Sequence, residues 1–429
     1  MRRSLITLGL CLTPVFRLFA QEPVQFTVGD VASCLKVRAR PERSAPSFVC
    51  LDRGTQVEAV GVAPYWRQIR LQDGRTGWAA KKFLEIVAGP GVTPGTVDTT
   101  RTDAWLEVHI VDVGQGDGIW IHTFDDNIPG NGRYEGYNII VDGGPQDPTN
   151  PMLRYVMDRA HERAVIDALI ITHPHIDHYP GAEDILNHFE VREFYDSGFR
   201  NAGDWDRFLT LVHAERFEGQ PIIEHIGSGT FGTPNWGSEL KVTFLYADPG
   251  QRPGLGSAGT GTRINNASIV FRLEYGKQSI LFTGDLEGKE RNEPGSVVKY
   301  GERLLLDSVD STALRSTVLK VAHHGSETSS TTRFIEAVDP HFVVVSSGRR
   351  RFGRPAEPRF LPDKGTLQRY CDHSDSTRIY RTDQDDEVEG KTASNDADGD
   401  HIVISMNGID TNMQAYSAGN PITPTTCVP

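Results

Sequence analysis

Hydrophobic and polar positions along the chain fall into distinct regimes. Across residues 26–87, short apolar runs alternate with polar residues at a period of two and are cut by Gly, Pro and Asp. The runs are Cys34-Leu35-Lys36-Val37-Arg38, Gly54-Thr55-Gln56-Val57, Trp66-Arg67-Gln68-Ile69 and Gly77-Trp78-Ala79. This pattern predicts a small β-barrel of roughly 60 residues. Residues 88–104 are rich in Gly, Pro and Thr without an apolar period, which predicts a linker. From Trp105 onward the apolar runs are more continuous. Leu106 to Val113, Ile139 to Val141, Val165 to Ile171, Ser279 to Phe282 and Leu319 to Val321 read as buried strands, each leading into Gly, Asp or His. A second domain is therefore expected over 105–415, followed by a C-terminal tail at 416–429. Strand-like Arg378-Ile379-Tyr380 and Ile402-Val403-Ile404 bracket an acidic segment at 383–400, expected to be a solvated hairpin tip; its spacing does not fit an EF-hand loop.

Composition adds bounds to this two-domain picture. The chain has 429 residues, 38% hydrophobic and 24% charged, as expected of a water-soluble globular protein. Residues 1–20 differ: Arg2-Arg3 lead an apolar stretch that ends at Ala20, the layout of a cleavable signal peptide and hence of a secreted or periplasmic protein. Arg17 and Leu18 depart from that layout, and an uncleaved anchor is the alternative. Removing the leader leaves Cys34, Cys50, Cys371 and Cys427, one pair near each end, which suits either two disulfides in an oxidising compartment or four free thiols. A net charge of -13 counts against broad attraction to nucleic acid. Arg349-Arg350-Arg351 and Arg354 remain candidates for a local basic groove.

The densest chemistry follows the strand at Val165–Ile171. His173-Pro174-His175-Ile176-Asp177-His178 packs four potential ligands into six residues. They converge on one point only where the backbone turns, and Pro174, Pro180 and Gly181 suit such a turn. Imidazole nitrogens with a carboxylate suit zinc, and also manganese or iron. Packing gains little from three histidines in one turn, so a metal site explains them better than a structural role.

His-x-His-x-Asp-His is the hallmark of the metallo-β-lactamase superfamily, which this domain resembles. Val113-Gly114-Gln115-Gly116-Asp117, Asp142-Gly143-Gly144, Thr283-Gly284-Asp285 and Lys320-Val321-Ala322-His323-His324-Gly325-Ser326 occur in the order of the ComEC competence-protein family. That resemblance covers about residues 106 to 405 and implies an α/β fold, a four-layer αβ/βα sandwich with metals between two sheets. It implies His173 and His175 on one metal, Asp177 and His178 on another, Asp285 bridging, and one of His323 and His324 completing the second site. Asn265-Asn266-Ala267-Ser268 stands where the superfamily usually offers a further histidine, so the first site is expected to be weak or the enzyme to use one ion. Arg354 replaces a common histidine before Pro355 and suits a clamp on substrate phosphate. Asn266 and Ser326 are further substrate-binding candidates, with a helix cap as the competing role for Ser326. The N-terminal segment resembles bacterial SH3-like (SH3b) modules, which bind cell-wall peptides or partner proteins. There Tyr65, Trp66 and Trp78 form either an aromatic groove or simply core.

The expected function is hydrolysis by metal-bound hydroxide, with one or two divalent ions, Zn or Mn, and with Asp177 and His178 as catalytic residues. A secreted phosphodiesterase or nuclease leads. An enzyme acting on envelope polymers, docked by the SH3-like module, and a non-catalytic envelope-binding protein are the alternatives.

Overall fold

The computed structural model describes residues 25–28, 33–42, 44–63, 66–80, 83–86, 106–123, 136–159, 165–217, 219–227, 233–237, 240–248, 259–348, 350, 359–383, 399–406, 408, 411–417, 420–422 and 425–426. The signal-peptide segment, the linker, Tyr65, Arg349, Arg351, Arg354, Cys427 and most of the acidic segment lie outside the described residues.

Alternating apolar residues close the N-terminal region into one antiparallel sheet. Its strands are β1 (Gln25–Val28), β2 (Leu35–Arg38), β3 (Ser47–Leu51), β4 (Gln56–Ala63), β5 (Trp66–Arg70), β6 (Thr76–Ala80) and β7 (Leu84–Ile86), in the order β3-β2-β6-β5-β4-β1-β7. One face buries Val28, Leu35, Val37, Val57, Ile69, Ala79 and Leu84 together, as period-two patterning requires. A Cys34–Cys50 disulfide ties β2 to β3. Cys371 is also disulfide-bonded.

Two larger sheets follow. The first contains β8 (Leu106–Ile110), β9 (Gly118–Thr123), β10 (Asn138–Gly143), β11 (Val165–Ile170), β12 (Glu190–Asp196) and, beyond the short ladder of β13 (Arg216–Phe217) with β14 (Gln220–Pro221), β15 (Ile223–Ile226). The second contains β16 (Leu240–Tyr246), β17 (Val270–Tyr275), β18 (Gln278–Phe282), β19 (Val318–Lys320), β20 (Phe342–Val345) and β21 (Arg378–Arg381). The chain then returns: β22 (Ile402–Met406), β23 (Thr411–Ser417) and β24 (Asn420–Ile422) extend the first sheet beside β8, and β25 (Thr425–Thr426) pairs with β21. Two expectations are corrected here. Arg378–Arg381 and Ile402–Met406 belong to different sheets, so the acidic segment connects the sheets and is not a hairpin tip. The expected tail supplies strands to both sheets, because each edge leaves backbone groups that pairing satisfies.

Three layers of apolar contact make this a four-layer αβ/βα sandwich. Ile139 and Val141 of β10 face Phe271, Ile280, Phe282 and Val344 across the sheets. Ile140, between them, turns outward to α1 (Pro151–Arg159), α2 (Ala182–His188) and α3 (Asp204–Ala214). On the far side, past the short α4 (Thr260–Asn265), Leu281, Leu319 and Val343 pack against α5 (Tyr300–Ser308), α6 (Ser311–Leu314), α7 (Thr332–Val338) and α8 (Lys364–His373). The central strands are buried on both faces, which explains why they read as continuous apolar runs. Strands β10, β11 and β12 run parallel, as do β18, β19 and β20. Their carboxyl ends therefore share a rim in each sheet, where side chains are exempt from core packing.

On the helical side, Glu302 of α5 is fully buried and accepts hydrogen bonds from Thr331 N at 3.0 Å and Thr331 Oγ1 at 2.6 Å, and from Ser330 N. Burial pushes its carboxyl up to about 7 against the pull of these donors. A folded-state value above the unfolded one means that the fold favours the protonated acid, so this contribution is complete in acid and is lost as pH rises through about 7. The stability of the parent protein relative to Glu302→Gln should consequently fall between pH 5 and 8, as urea denaturation will measure; a constant difference would contradict the assignment.

Candidate metal centre

The ends of β11, β18 and β19 supply the donors. After β11 the chain turns tightly, with His175 N donating to His173 O at 3.0 Å and His178 N to His175 O at 3.1 Å. This turn aims His173 Nε2 and His175 Nδ1 at a common point, 3.1 Å apart. Asp285, just past β18, places Oδ2 at 3.6 Å from His173 Nε2, 3.4 Å from His178 Nε2 and 3.5 Å from His324 Nε2. Asp177 reaches the same place from its open side, with Oδ2 at 3.6 Å from His324 Nε2. His173, His178, His324 and Asp285 are buried, whereas His175 and Asp177 are partly exposed and flank the 59% exposed Ile176. The centre thus opens to solvent through the 175–177 turn.

Two donor sets result: His173, His175 and Asp285, and beside them Asp177, His178 and His324, with Asp285 Oδ2 within reach of both. Ligand atoms about 2.1 Å from a tetrahedral ion lie about 3.4 Å from one another, and these separations bracket that value. His178 Nε2, His324 Nε2 and Asp285 Oδ1 are buried without a hydrogen-bond partner. Buried polar atoms left unpaired are costly, and a divalent cation would satisfy them. The donor set fits such an ion.

Neighbours orient each ligand. Asp142 sits at the end of β10 with φ 58°, a conformation short polar side chains tolerate. Its Oδ2 accepts from His178 Nδ1 at 2.8 Å and Thr172 Oγ1 at 2.7 Å, and its Oδ1 from Thr172 N at 2.8 Å. His324 Nδ1 donates to Ser346 O at 2.9 Å, which frees Nε2 for the cation. Ser268 Oγ accepts from Asp285 N at 2.8 Å and lies 3.4 Å from His173 Nδ1. Buried Lys320 forms an ion pair with Asp117, whose other oxygen lies 3.4 Å from His324 Nδ1. Close approach also matters: a Cβ on Gly116, at φ 146°, would stand 2.2 Å from Asp177 O.

Charge follows geometry. Burial works against His178 and His324, yet the carboxylates facing them prevail; His178 is raised well above its ordinary range by Asp285 and Asp142, and His324 to about 10 by Asp285 and Asp117. Burial and the neighbouring His178 hold His173 neutral, well below its ordinary value. Asp285 stays ionised despite burial because His324, His178 and His173 surround it.

Not every expected residue joins the site. His324 faces the ligands, but His323 does not: both residues are left-handed, at φ 52° and 50°, and their rings diverge. His323 Nδ1 lies 3.0 Å from Thr328 Oγ1 and 3.2 Å from Glu287 Oε1. Asn266 is fully buried and structural, its Oδ1 accepting from Glu287 N and Gly301 N and its Nδ2 donating to Thr262 O. Ser326 is also buried, its hydroxyl taken by Arg291 and Thr328. The cap assigned to it fails too, since α7 begins at Thr332 with Thr331 before it. Arg354 lies outside the described residues. Asp142, Asp117, Lys320 and Ser268 were visible as motif members without a role.

The family model described as the metallo-β-lactamase superfamily matches residues 133–349. The chain belongs to the metallo-β-lactamase superfamily. Within it, the chain is 27% identical over 300 residues to ComE operon protein 3 of Bacillus subtilis (strain 168), covering 66% of this chain and 32% of that protein. It is 29% identical over 183 residues to competence protein ComA of Neisseria gonorrhoeae, covering 43% and 20%. The chain therefore spans a third or less of the length of these two relatives. Among solved structures it is similar to the metallo-β-lactamase fold protein YhfI from Bacillus subtilis, at 11% identity and TM-score 0.35, covering 64% of this chain and 96% of that one.

Asp142→Asn should weaken metal binding roughly 10- to 100-fold by releasing the His178 ring. Because His178 and His324 carry raised pKa values, protons compete with the cation, and affinity in both proteins should decline as pH falls. Chelator competition at pH 6 and 8 measures both effects; equal affinity of variant and parent would refute the positioning role.

Proposed function

We propose that the protein is an exported metal-dependent phosphodiesterase, acting as a nuclease and loaded with Zn or Mn. The observation that carries this reading is the pair of donor sets within reach of Asp285 Oδ2, an arrangement suited to two cations and to in-line phosphoryl displacement. The names of the two competence proteins support a DNA-related substrate. The Cys34–Cys50 disulfide supports export into an oxidising compartment.

When bound, divalent cations supply positive charge for the phosphate oxygens and acidify water at the site. The chain's residues do the rest. His173, His175, Asp177, His178, His324 and Asp285 would hold the ions. Asp177, half-buried on the open side, orients the attacking water and accepts its proton at a carboxylate oxygen. His178 stays fixed through Nδ1 by Asp142. The second donor set counts four protein ligands when Asp285 is included, and the first counts three, so occupancy should be tighter at the second.

The small N-terminal sheet favours a second reading. If it is the SH3-like module its sequence resembles, the enzyme is docked at the cell envelope and cleaves phosphodiesters or amides of wall polymers. A decayed, purely binding protein is disfavoured by six intact donors.

Purified protein loaded with Zn or Mn should hydrolyse bis-p-nitrophenyl phosphate and single-stranded DNA, and His175→Ala should lose about 100-fold or more, the scale of several kcal/mol of lost charge stabilisation. Turnover of wall polymer alone would move the assignment to the envelope reading. Full metal occupancy with no turnover of any of these would refute both.

A further inference from the structure

An arginine that is 3% exposed on a small β-domain requires explanation. Arg67 of β5 shares the face of Ile69, and its Nη2 reaches Glu190 Oε1 at 3.1 Å; Glu190 is only 7% exposed. Nη1 of the same guanidinium donates to Trp66 O at 3.2 Å. Burial acts to lower the Arg67 pKa, opposed by the Glu190 and Glu215 carboxylates. Glu190 lies 123 residues away, in the catalytic domain. Beside this pair, β7 lies against the short β13 strand, a second contact between the domains. Trp66, next in sequence, is itself 9% exposed and stands outside the apolar cluster of its own sheet.

The position of Glu190 fixes where the small domain sits. Glu190 is the first residue of β12 and pairs with Val165, the first residue of β11. Those strands run parallel, and His173, His175, Asp177 and His178 follow the carboxyl end of β11. A seven-residue strand at about 3.3 Å per residue spans roughly 20 Å, so the ion pair lies about that far behind the rim that carries the metal centre. An ion pair shut away from water is also a poor hinge. Opening it on one side strands a charge without its counter-ion in a site built to exclude water, so the closed arrangement is strongly preferred while both partners are present.

We infer that the N-terminal β-domain is locked to the rear of the catalytic domain through the buried Arg67–Glu190 pair, and that it acts as a fixed anchor. It does not swing to the metal centre to deliver substrate. Whatever surface the small domain contacts is held on the side away from the opening at residues 175–177, leaving that opening free for a substrate that arrives from solution or from beyond the anchoring surface. This goes beyond the proposed activity and does not depend on which ester is cleaved.

Small-angle scattering and limited proteolysis of the full chain test the lock. The parent should scatter as one compact particle and resist cleavage between residues 87 and 105. Arg67→Glu and Glu190→Arg should each enlarge the radius of gyration and speed that cleavage about tenfold or more, because cleavage follows the population of the open form. Combining the two substitutions should restore both readouts. Metal content and bis-p-nitrophenyl phosphate turnover should stay within about twofold of the parent in every variant, since the pair is remote from the site. Should Arg67→Glu unfold the small sheet, as circular dichroism would reveal, Glu190→Gln decides by the same measurements. Single variants that scatter and cleave like the parent, or a parent that scatters as two independent bodies, would overturn the inference. Failure of the catalytic proposal would show instead as absent turnover with the scattering results intact.

Discussion

Asp285 presents one carboxylate oxygen to three imidazoles within 3.6 Å, and the oxygen and all three rings are buried. That crowding is what the rest of the catalytic domain has to sustain. Desolvating charged groups is expensive unless opposite charges are held at close range, and here the opposing charges arrive from strands of two different sheets. The sandwich meets this requirement by geometry. Among the described residues, eight parallel strands, four in each sheet, carry their carboxyl ends to one rim, and each ligand needs only the few residues beyond its strand to reach the centre. Cores on both faces of each sheet keep the strand ends from drifting. Without that rigidity the histidines would find water, and the polarised environment that selects a cation would disappear.

The turn at Val113–Asp117 fastens the halves of the rim together. Asp117 N donates to Asp177 O at 3.2 Å, which ties the turn to the loop bearing three of the histidines. Ser346 Oγ donates to Gly116 O at 2.7 Å, which ties it to the loop that orients His324. The Lys320–Asp117 ion pair joins β19 to the same turn across the sheets. Gly116 permits the approach because any side chain would occupy the position of Asp177 O. A single turn of five residues therefore couples both donor sets, and its sequence is restricted by contacts to the ligands' own backbone.

Much of this was legible before the structure, and the limits are physical. The strands announced themselves through continuous apolar runs because both faces are buried, and the ligand turn through the density of imidazoles between prolines. His323 and His324 could not be told apart, since their directions depend on two successive left-handed residues, which composition does not reveal. Asn266 looked like a polar group near the chemistry, but its amide is consumed by the backbone of Glu287, Gly301 and Thr262. Spacing cannot show whether a polar side chain faces a cavity or a neighbouring loop. The acidic segment was misplaced for a similar reason: two strand-like runs around a polar stretch suggest a hairpin, and only the edges left open in each sheet decide which neighbour a strand takes. Arg67 gave no signal at all, because a strand arginine is ordinarily solvated and its partner lies in another domain.

The stretch 265–268 beside the first donor set sharpens the chemistry further. In this stretch, which offers no imidazole to the first set, Ser268 uses its hydroxyl to hold Asp285 N and to approach the rear nitrogen of His173. A hydroxyl in that place supports two ligands and contributes none. The first set therefore gains orientation and no donor from this stretch, while the second has an aspartate and two buried histidines in addition to Asp285. Such asymmetry has a chemical use. Were two cations bound, the one with more protein donors would be held more tightly, and the one with fewer would keep open positions that an ion enclosed by protein ligands lacks. Exchangeable coordination would then lie on the side of His175, next to the solvent-facing turn at residues 175–177.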